Sequence, residues 1–270
     1  MAQHSTTRPQ STTPGALRVA SWHLASYRRL WKMNVLSSLI QPMLYLLGLG
    51  VGVGSLVDRN TGSSEVLGTT SYVSFVVPGL LVTTAMALAA GESMWPVMGA
   101  LKWHRGYHGI AATPLSARDI VYGHATWIAV RCGIAAGSVA IVLAFFETTR
   151  SWGLAPSVLV AILVGVAFAM PIMALSLGAE RDGMFPAIQR FIIVPLFLFG
   201  GAFYPLSQLP TAVQWIAKIA PLWHGVVVAR DFTTGDVDWP AVAGHLGYAA
   251  LWVAVGLVLA TRRLRGKLYP

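Results

Sequence analysis

Charge is scarce in this chain. Only 11% of its residues are charged, where a soluble domain carries about 25%, so a soluble globular domain is excluded. The shortage is uneven, with 10 acidic residues against 19 basic ones. Cysteine is nearly absent: Cys132 stands alone within an apolar run. That excludes a disulfide within one chain and a cysteine-based metal site. No GxxxxGK[ST] phosphate loop occurs, so the chain is not expected to hydrolyse ATP by itself. There is no HExxH and no GxSxG, the signatures of a zinc protease helix and of a serine nucleophile elbow. His104 and His108 stand four apart and could share a helix face, but no third ligand is evident, and a solvated surface is the simpler reading. No acidic residue is expected inside an apolar run, which counts against a proton- or sodium-driven carrier.

What is abundant is apolar length. Of 270 residues 55% are hydrophobic, with a mean hydropathy of +0.63. A spanning helix needs about 20 apolar residues. Charges divide the sequence into six such blocks, predicting spans over residues 35–57, 70–91, 120–146, 157–179, 185–204 and 241–261. The first apolar run, from Met33 to Val57, is too long for the apolar part of a cleavable signal. The expected fold is an all-α integral membrane protein. Residues 1–13, rich in Ser, Thr and Gln, are expected to be a disordered cytoplasmic tail. Residues 14–34 mix Leu17, Trp22, Leu24, Tyr27, Leu30 and Trp31 with Arg18, Arg28, Arg29 and Lys32, which suits a helix lying in the membrane interface. Residues 35–262 form the membrane domain, and residues 263–270 a basic cytoplasmic tail.

Lys and Arg set the expected orientation. One side of the predicted spans holds Arg8, Arg18, Arg28, Arg29, Lys32, Lys102, Arg105, Arg118, Arg181, Arg190, Arg262, Arg263, Arg265 and Lys267. The other holds Arg59, Arg150, Lys218 and Arg230, among Asp58, Glu65, Glu147, Asp231, Asp236 and Asp238. Both termini are therefore expected in the cytoplasm. The net charge of +9 reads as flanks touching anionic membrane lipid, with no nucleic-acid partner.

Gly48, Gly50, Gly52 and Gly54 read as helix-packing positions. Arg131 interrupts the third span, where an ionised group needs a protein interior, a polar path or a carboxylate such as Glu180 or Asp182. Beyond the fifth span Pro195, Pro205, Pro210 and Pro221 break the apolar pattern. Short, partly re-entrant helices on the outer face are expected there. A full crossing would give a seventh span and strand the basic tail outside. The most polar interval between two apolar runs is Gly91–Asp119, with Lys102, His104, Arg105 and His108 followed by Thr113-Pro114-Leu115. It reads as a cytoplasmic loop carrying a short helix that docks on a partner.

Three stretches in order, Tyr27–Gly54, His108–Arg131 and Phe197–Phe232, carry a basic entry into a Gly-rich first span, a TPL…DI…G loop, and a GAFYP…LP…PLWH…R segment. In these the chain resembles the permease subunits of ABC-2 type exporters, in particular the nodulation-factor exporter and daunorubicin-resistance group. The resemblance implies six spans, an N-terminal interfacial helix, a cytoplasmic coupling helix after span two, and outer re-entrant helices between spans five and six. It implies a second permease copy, as homodimer or with a paralogue, and two copies of a separate ATP-binding subunit. ATP and Mg would sit on that partner, and this chain would hold no cofactor. Coupling would involve Lys102, Trp103, His104, Arg105, Tyr107, His108, Thr113, Pro114 and Leu115. Arg131, Glu180 and Asp182 are the intramembrane polar or path candidates. Phe203, Tyr204, Pro205, Pro210, Trp215, Pro221, His224 and Arg230 mark the outer segment. Several relatives have acidic residues before the loop's small-residue stretch, where this chain has Trp103-His104-Arg105-Gly106-Tyr107.

The expected role is the permease of an ATP-driven exporter in the cell inner membrane. Its cargo would be an amphipathic or hydrophobic lipid, glycolipid, lipid-linked glycan or drug. Two alternatives stay open: a proton-driven multidrug carrier, for which only Arg131 lies deep, and a membrane-embedded lipid-processing enzyme, for which Glu180-Arg181-Asp182 is the tightest polar cluster.

Overall fold

The computed structural model describes residues 14–29, 31–59, 67 and 71–269. The expected disordered tail 1–13, and residue 70 at the predicted start of span two, lie outside them.

All regular structure among the described residues is helical. Helix α1 covers Gly15–Tyr27, and α2 Trp31–Val57. Helix α3 runs over Tyr72–Trp103, with a break at Ser93-Met94 after which Pro96 restarts the turn. The short α4 is Gly106–Ala111, α5 Ala117–Ala144 and α6 Leu154–Gly178. Helix α7 covers Met184–Phe199, α8 Thr211–Ile219, α9 Pro221–Thr234 and α10 Trp239–Leu268. Five of these, α2, α3, α5, α6 and α10, are long and apolar enough to cross a membrane.

Several ends differ from the sequence reading. Trp31–Asn34 belong to α2 rather than to the interfacial helix. Span two passes Glu92 and ends at Trp103, because WPVMGAL continues the apolar pattern once the break is crossed. Span five is helical only over Met184–Phe199, since Gly201 takes a left-handed φ of +86° and turns the chain. Residues 263–268 continue α10 rather than forming a separate tail. Span three starts at Ala117 because Ser116 and Asp119 form a reciprocal capping box.

Helix α6 is the centre, packed against α3, α5, α9 and α10. Its close neighbours use glycine where backbones meet. A side chain at Gly256 of α10 would lie 2.7 Å from the backbone nitrogen of Pro171. The α2 helix packs inward through Gly50 and Gly54, against Val73 and Tyr72, while nothing lies near Gly48 or Gly52. Helices α2 and α10 are the least covered of the long helices.

Contacts define two ends. At one, Lys102 Nζ donates to the Glu180 carbonyl (2.6 Å) and Arg263 Nη1 to the Ala174 carbonyl (2.8 Å). Helix α1 crosses α5 there: a side chain at Gly123 would meet the Ala16 carbonyl at 2.7 Å. This end gathers the basic residues. At the other, Ser74 Oγ donates to Thr148, Ser151 Oγ to Thr233 and Tyr72 OH to Phe203.

Candidate functional site

The loop at the basic end divides into an anchor and an exposed face. The chain leaves α3 at Trp103 and reverses at Arg105, the one non-glycine residue with positive φ (+50°) among those described. A left-handed arginine is costly, so the turn needs an anchor. Tyr107, the second residue of α4, supplies one and is fully buried (0% exposed). A side chain at Gly106 would meet the Trp22 ring of α1 at 3.6 Å, and α4 packs against α5 and α10. Around this anchor Lys102, Trp103, His104, Arg105, His108, Thr113 and Pro114 are exposed, with Leu115 half-buried. Tyr107 is therefore not the surface contact that the resemblance implies. Burial pushes its hydroxyl up from the ordinary tyrosine value, and that hydroxyl has no hydrogen-bond partner. Among the described residues no group of three His, Cys, Asp or Glu could hold a metal; His104 caps the end of α3 and His108 lies within α4, on either side of the reversal at Arg105.

Helix α1 is tied to the same region by aromatic rings. His23 stacks on Trp127 at 5.7 Å and meets His124 at 5.4 Å, and Tyr27 packs edge-on to Trp127. Burial lowers the His23 pKa to about 4, since a desolvated imidazole resists protonation.

Half-way along α5 is Arg131, only 6% exposed. Its Nη2 donates to Glu92 Oε1 at 3.0 Å, and its guanidinium lies 4.7 Å from the centre of the Tyr27 ring. The partner is thus Glu92 of α3, neither Glu180 nor Asp182. Glu180, Arg181 and Asp182 are exposed in the turn between α6 and α7. The expectation that no acidic residue lies within a span is overturned as well. Charge spacing ends span two at Glu92, whereas eleven more residues, to Trp103, extend the same helix beyond it.

Arg131 lines a cavity of about 380 Å³ with Ser38 and Gln41 of α2, Thr84 of α3, and Gln189 and Phe197 of α7. An apolar groove of about 460 Å³ lies between α6, α7, α8 and α10, lined by Phe168, Pro171, Phe191, Pro195, Ile216 and Trp252. Helix α7 contributes to both, so it is the wall between a polar cavity and an apolar one. Sequence reasoning singles out none of Gln41, Thr84, Glu92 or Gln189 as site residues. A polar residue punctuating each of several apolar runs is the available signal.

At the opposite end α8 and α9 meet at 87°, a hairpin turned at Ala220 before Pro221; such a bend is that of a broken span or of a re-entrant pair. Pro205 and Pro210 precede its short helices, and Tyr204 and Trp215 are exposed while Phe203 and Pro221 are buried. Arg230 holds the hairpin to the core: its Nη2 donates to the Gly201 carbonyl (2.9 Å) and its guanidinium lies 3.9 Å from the Phe75 ring centre. His224 Nε2 lies 2.9 Å from the Lys218 carbonyl and so carries a proton, while its Nδ1 meets His245 Nδ1 at 2.7 Å. Tyr248 OH donates to the Ile219 carbonyl, fixing the corner to α10.

A profile of the ABC-2 type transporter family matches residues 18–232. Nodulation protein J of Rhizobium meliloti is 30% identical over 94% of this chain and 97% of its own length. Nodulation protein J of Rhizobium leguminosarum bv. viciae is 31% identical over 91% and 94%. The inner membrane transport permease YadH of Escherichia coli is 24% identical over 89% and 91%. No solved structure matches the chain.

Proposed function

This chain belongs to the ABC-2 type transporter family and is the multi-pass membrane permease of an ABC transporter; we propose that it works as an exporter of amphipathic cargo, driven by a separate ATP-binding subunit. In this reading it sits in the inner membrane with both termini in the cytoplasm. The name of the Escherichia coli relative supports that location, and the charge asymmetry between the two ends supports the orientation.

The observation that carries the proposal is the loop at the basic end. Tyr107 fixes α4 to the bundle, while Trp103, His104, Arg105 and His108 are left exposed on a rigid mount. Energy can pass from a partner to the spans only through a contact that differs between two arrangements. A buried anchor under an exposed face transmits a push instead of absorbing it. Two ATP-binding subunits, holding ATP and Mg, would press on this loop in each of two permease copies. Closure on ATP would rock α3 and α5 and release cargo outward. Helix α2 supports the second copy: Gly48 and Gly52, four apart, are open on a face that also exposes Gln41, and small residues with a polar neighbour are what membrane helices pack through. The amphipathic nature of the cargo is supported by α7, which separates the polar cavity from the apolar groove.

The test is extraction of the chain from its own membranes in gentle detergent, with mass spectrometry of what accompanies it. A subunit bearing a phosphate loop is expected. Recovery of the chain alone after crosslinking would remove the ATP-driven reading and reopen the proton-driven one, in which Glu92 would be the residue to examine.

A further inference from the structure

We propose that His224 and His245 form an acid-sensitive latch, which ties the corner of the α8–α9 hairpin to α10 and lets go when both rings are protonated. The first ground is how the protons must be arranged. His224 Nε2 meets the Lys218 carbonyl at 2.9 Å. A carbonyl only accepts, so that nitrogen carries the proton, and the Nδ1 of a neutral His224 is bare. The 2.7 Å contact between the two Nδ1 atoms is then a bond donated by His245. A first added proton goes to His245 Nε2 and leaves this bond intact, now charge-assisted. A second can go only to His224 Nδ1. Two N–H groups on two like charges then face each other at contact distance, and no acceptor is left between them.

The second ground is what the pair holds. Of the nine residues of α8 only Ala217 is buried, so packing alone holds this helix weakly. At its corner the polar ties to α10 are the histidine bond and the Tyr248 hydroxyl on the Ile219 carbonyl. Val213, Ile216 and Ile219 of α8 roof the apolar groove, so release of the corner would uncover that groove. Both rings are half-buried and open to protons from solution. The groups around them are few. The Tyr248 ring lies 4.2 Å from that of His224, and the Lys218 ammonium sits over Trp223, 5.8 Å from its ring centre. Asp231 of α9 interacts with the charge of His245, and itself feels Arg230, Asp236 and Asp238. Helix α6, packed against both α9 and α10, has no ionisable side chain. That the acid would act from outside the cell rests on the orientation proposed above; the latch itself does not.

The experiment uses the full chain in membrane discs, without ATP, where both faces meet the buffer. Spin labels are attached to Trp215→Cys on α8 and Leu251→Cys on α10, both exposed positions; Cys132 is buried and stays unlabelled. Distances are read by pulsed electron resonance at about pH 7.5 and about pH 5, either side of the ordinary histidine value near 6.5. Acid is expected to shift the ratio of long to short distances roughly tenfold, about 1.4 kcal/mol, and return to neutral buffer to restore it. His245→Gln keeps every carboxylate, and its amide can donate to a bare Nδ1 or accept from a protonated one. It is expected to stay short at both pH values. His224→Gln should likewise lose the acid response, and serves if the first variant does not fold. A wild-type distance unmoved by acid would overturn the proposal. So would acid movement of equal size in a glutamine variant. Failure here leaves ATP-driven export standing, and loss of the ATPase partner would leave a working latch standing.

Discussion

Replacing Tyr107 separates an anchor from a contact surface. The ring is fully buried and its hydroxyl has no partner. Truncation to Ala removes an aromatic side chain from a packed site, which costs about 3–5 kcal/mol. For a chain of this size that is a fall of roughly 10 °C in the midpoint, at about 2–4 °C per kcal/mol. Tyr107→Phe removes only the hydroxyl. A buried hydroxyl without a partner carries a desolvation penalty of about 1–3 kcal/mol, so Phe is expected to equal or exceed wild type. His108→Ala, on the exposed side of the same short helix, should stay within about 0.5 kcal/mol while reducing stimulation of the partner ATPase. The assay is thermal unfolding in gentle detergent, tracked by the loss of the monodisperse peak, beside ATPase measurement on the assembled complex. Tyr107→Ala unfolding with wild-type stability while abolishing stimulation would refute the anchor. A Phe variant clearly less stable than wild type would show that the hydroxyl has a partner after all.

Other expectations rest on the same geometry. Glu92→Gln or Arg131→Gln alone should cost about 3–5 kcal/mol, because each leaves a buried charge unpaired, and the double variant should recover most of it. A double-mutant cycle on thermal stability measures the coupling, and additive losses would deny the pair. His23, held near pKa 4 by burial against an unfolded value near 6.5, favours the folded state while neutral. Stability should therefore be full above about pH 6.5 and fall as pH drops toward about 4, less so in His23→Phe. Midpoints measured across that window give the comparison, and identical profiles would contradict it. Arg230→Met should free the α8–α9 hairpin from Gly201 and Phe75, seen as faster proteolysis after Lys218. Unchanged cleavage would place the hold elsewhere.

The spans are legible in the sequence because each is an apolar run long enough to cross a bilayer. The bend at Ala220 is legible because Pro205, Pro210 and Pro221 punctuate its surroundings. Boundaries are less so. Charges serve as end-markers, and that rule fails at Glu92, where the pair with Arg131, 39 positions away in sequence, lets a carboxylate sit inside a helix. Such pairs depend on how α3 and α5 face each other, which no local pattern encodes. Tyr107 reads as exposed because its neighbours are polar, yet one aromatic among charged residues is also how a loop fastens itself down. The cavity is invisible for a similar reason. Gln41, Thr84, Arg131 and Gln189 come from four helices and converge only in the packed bundle.

The central claim, that the exposed face around α4 receives the force of an ATP-binding subunit, is tested most directly by a photo-crosslinking amino acid placed at His108 and, in a second protein, at Trp215. Both positions are exposed, at opposite ends of the fold. The account predicts a crosslink from position 108, in native membranes, to a subunit with a phosphate loop, and none from position 215. Crosslinks to such a subunit from position 215, or to none from position 108, would contradict it.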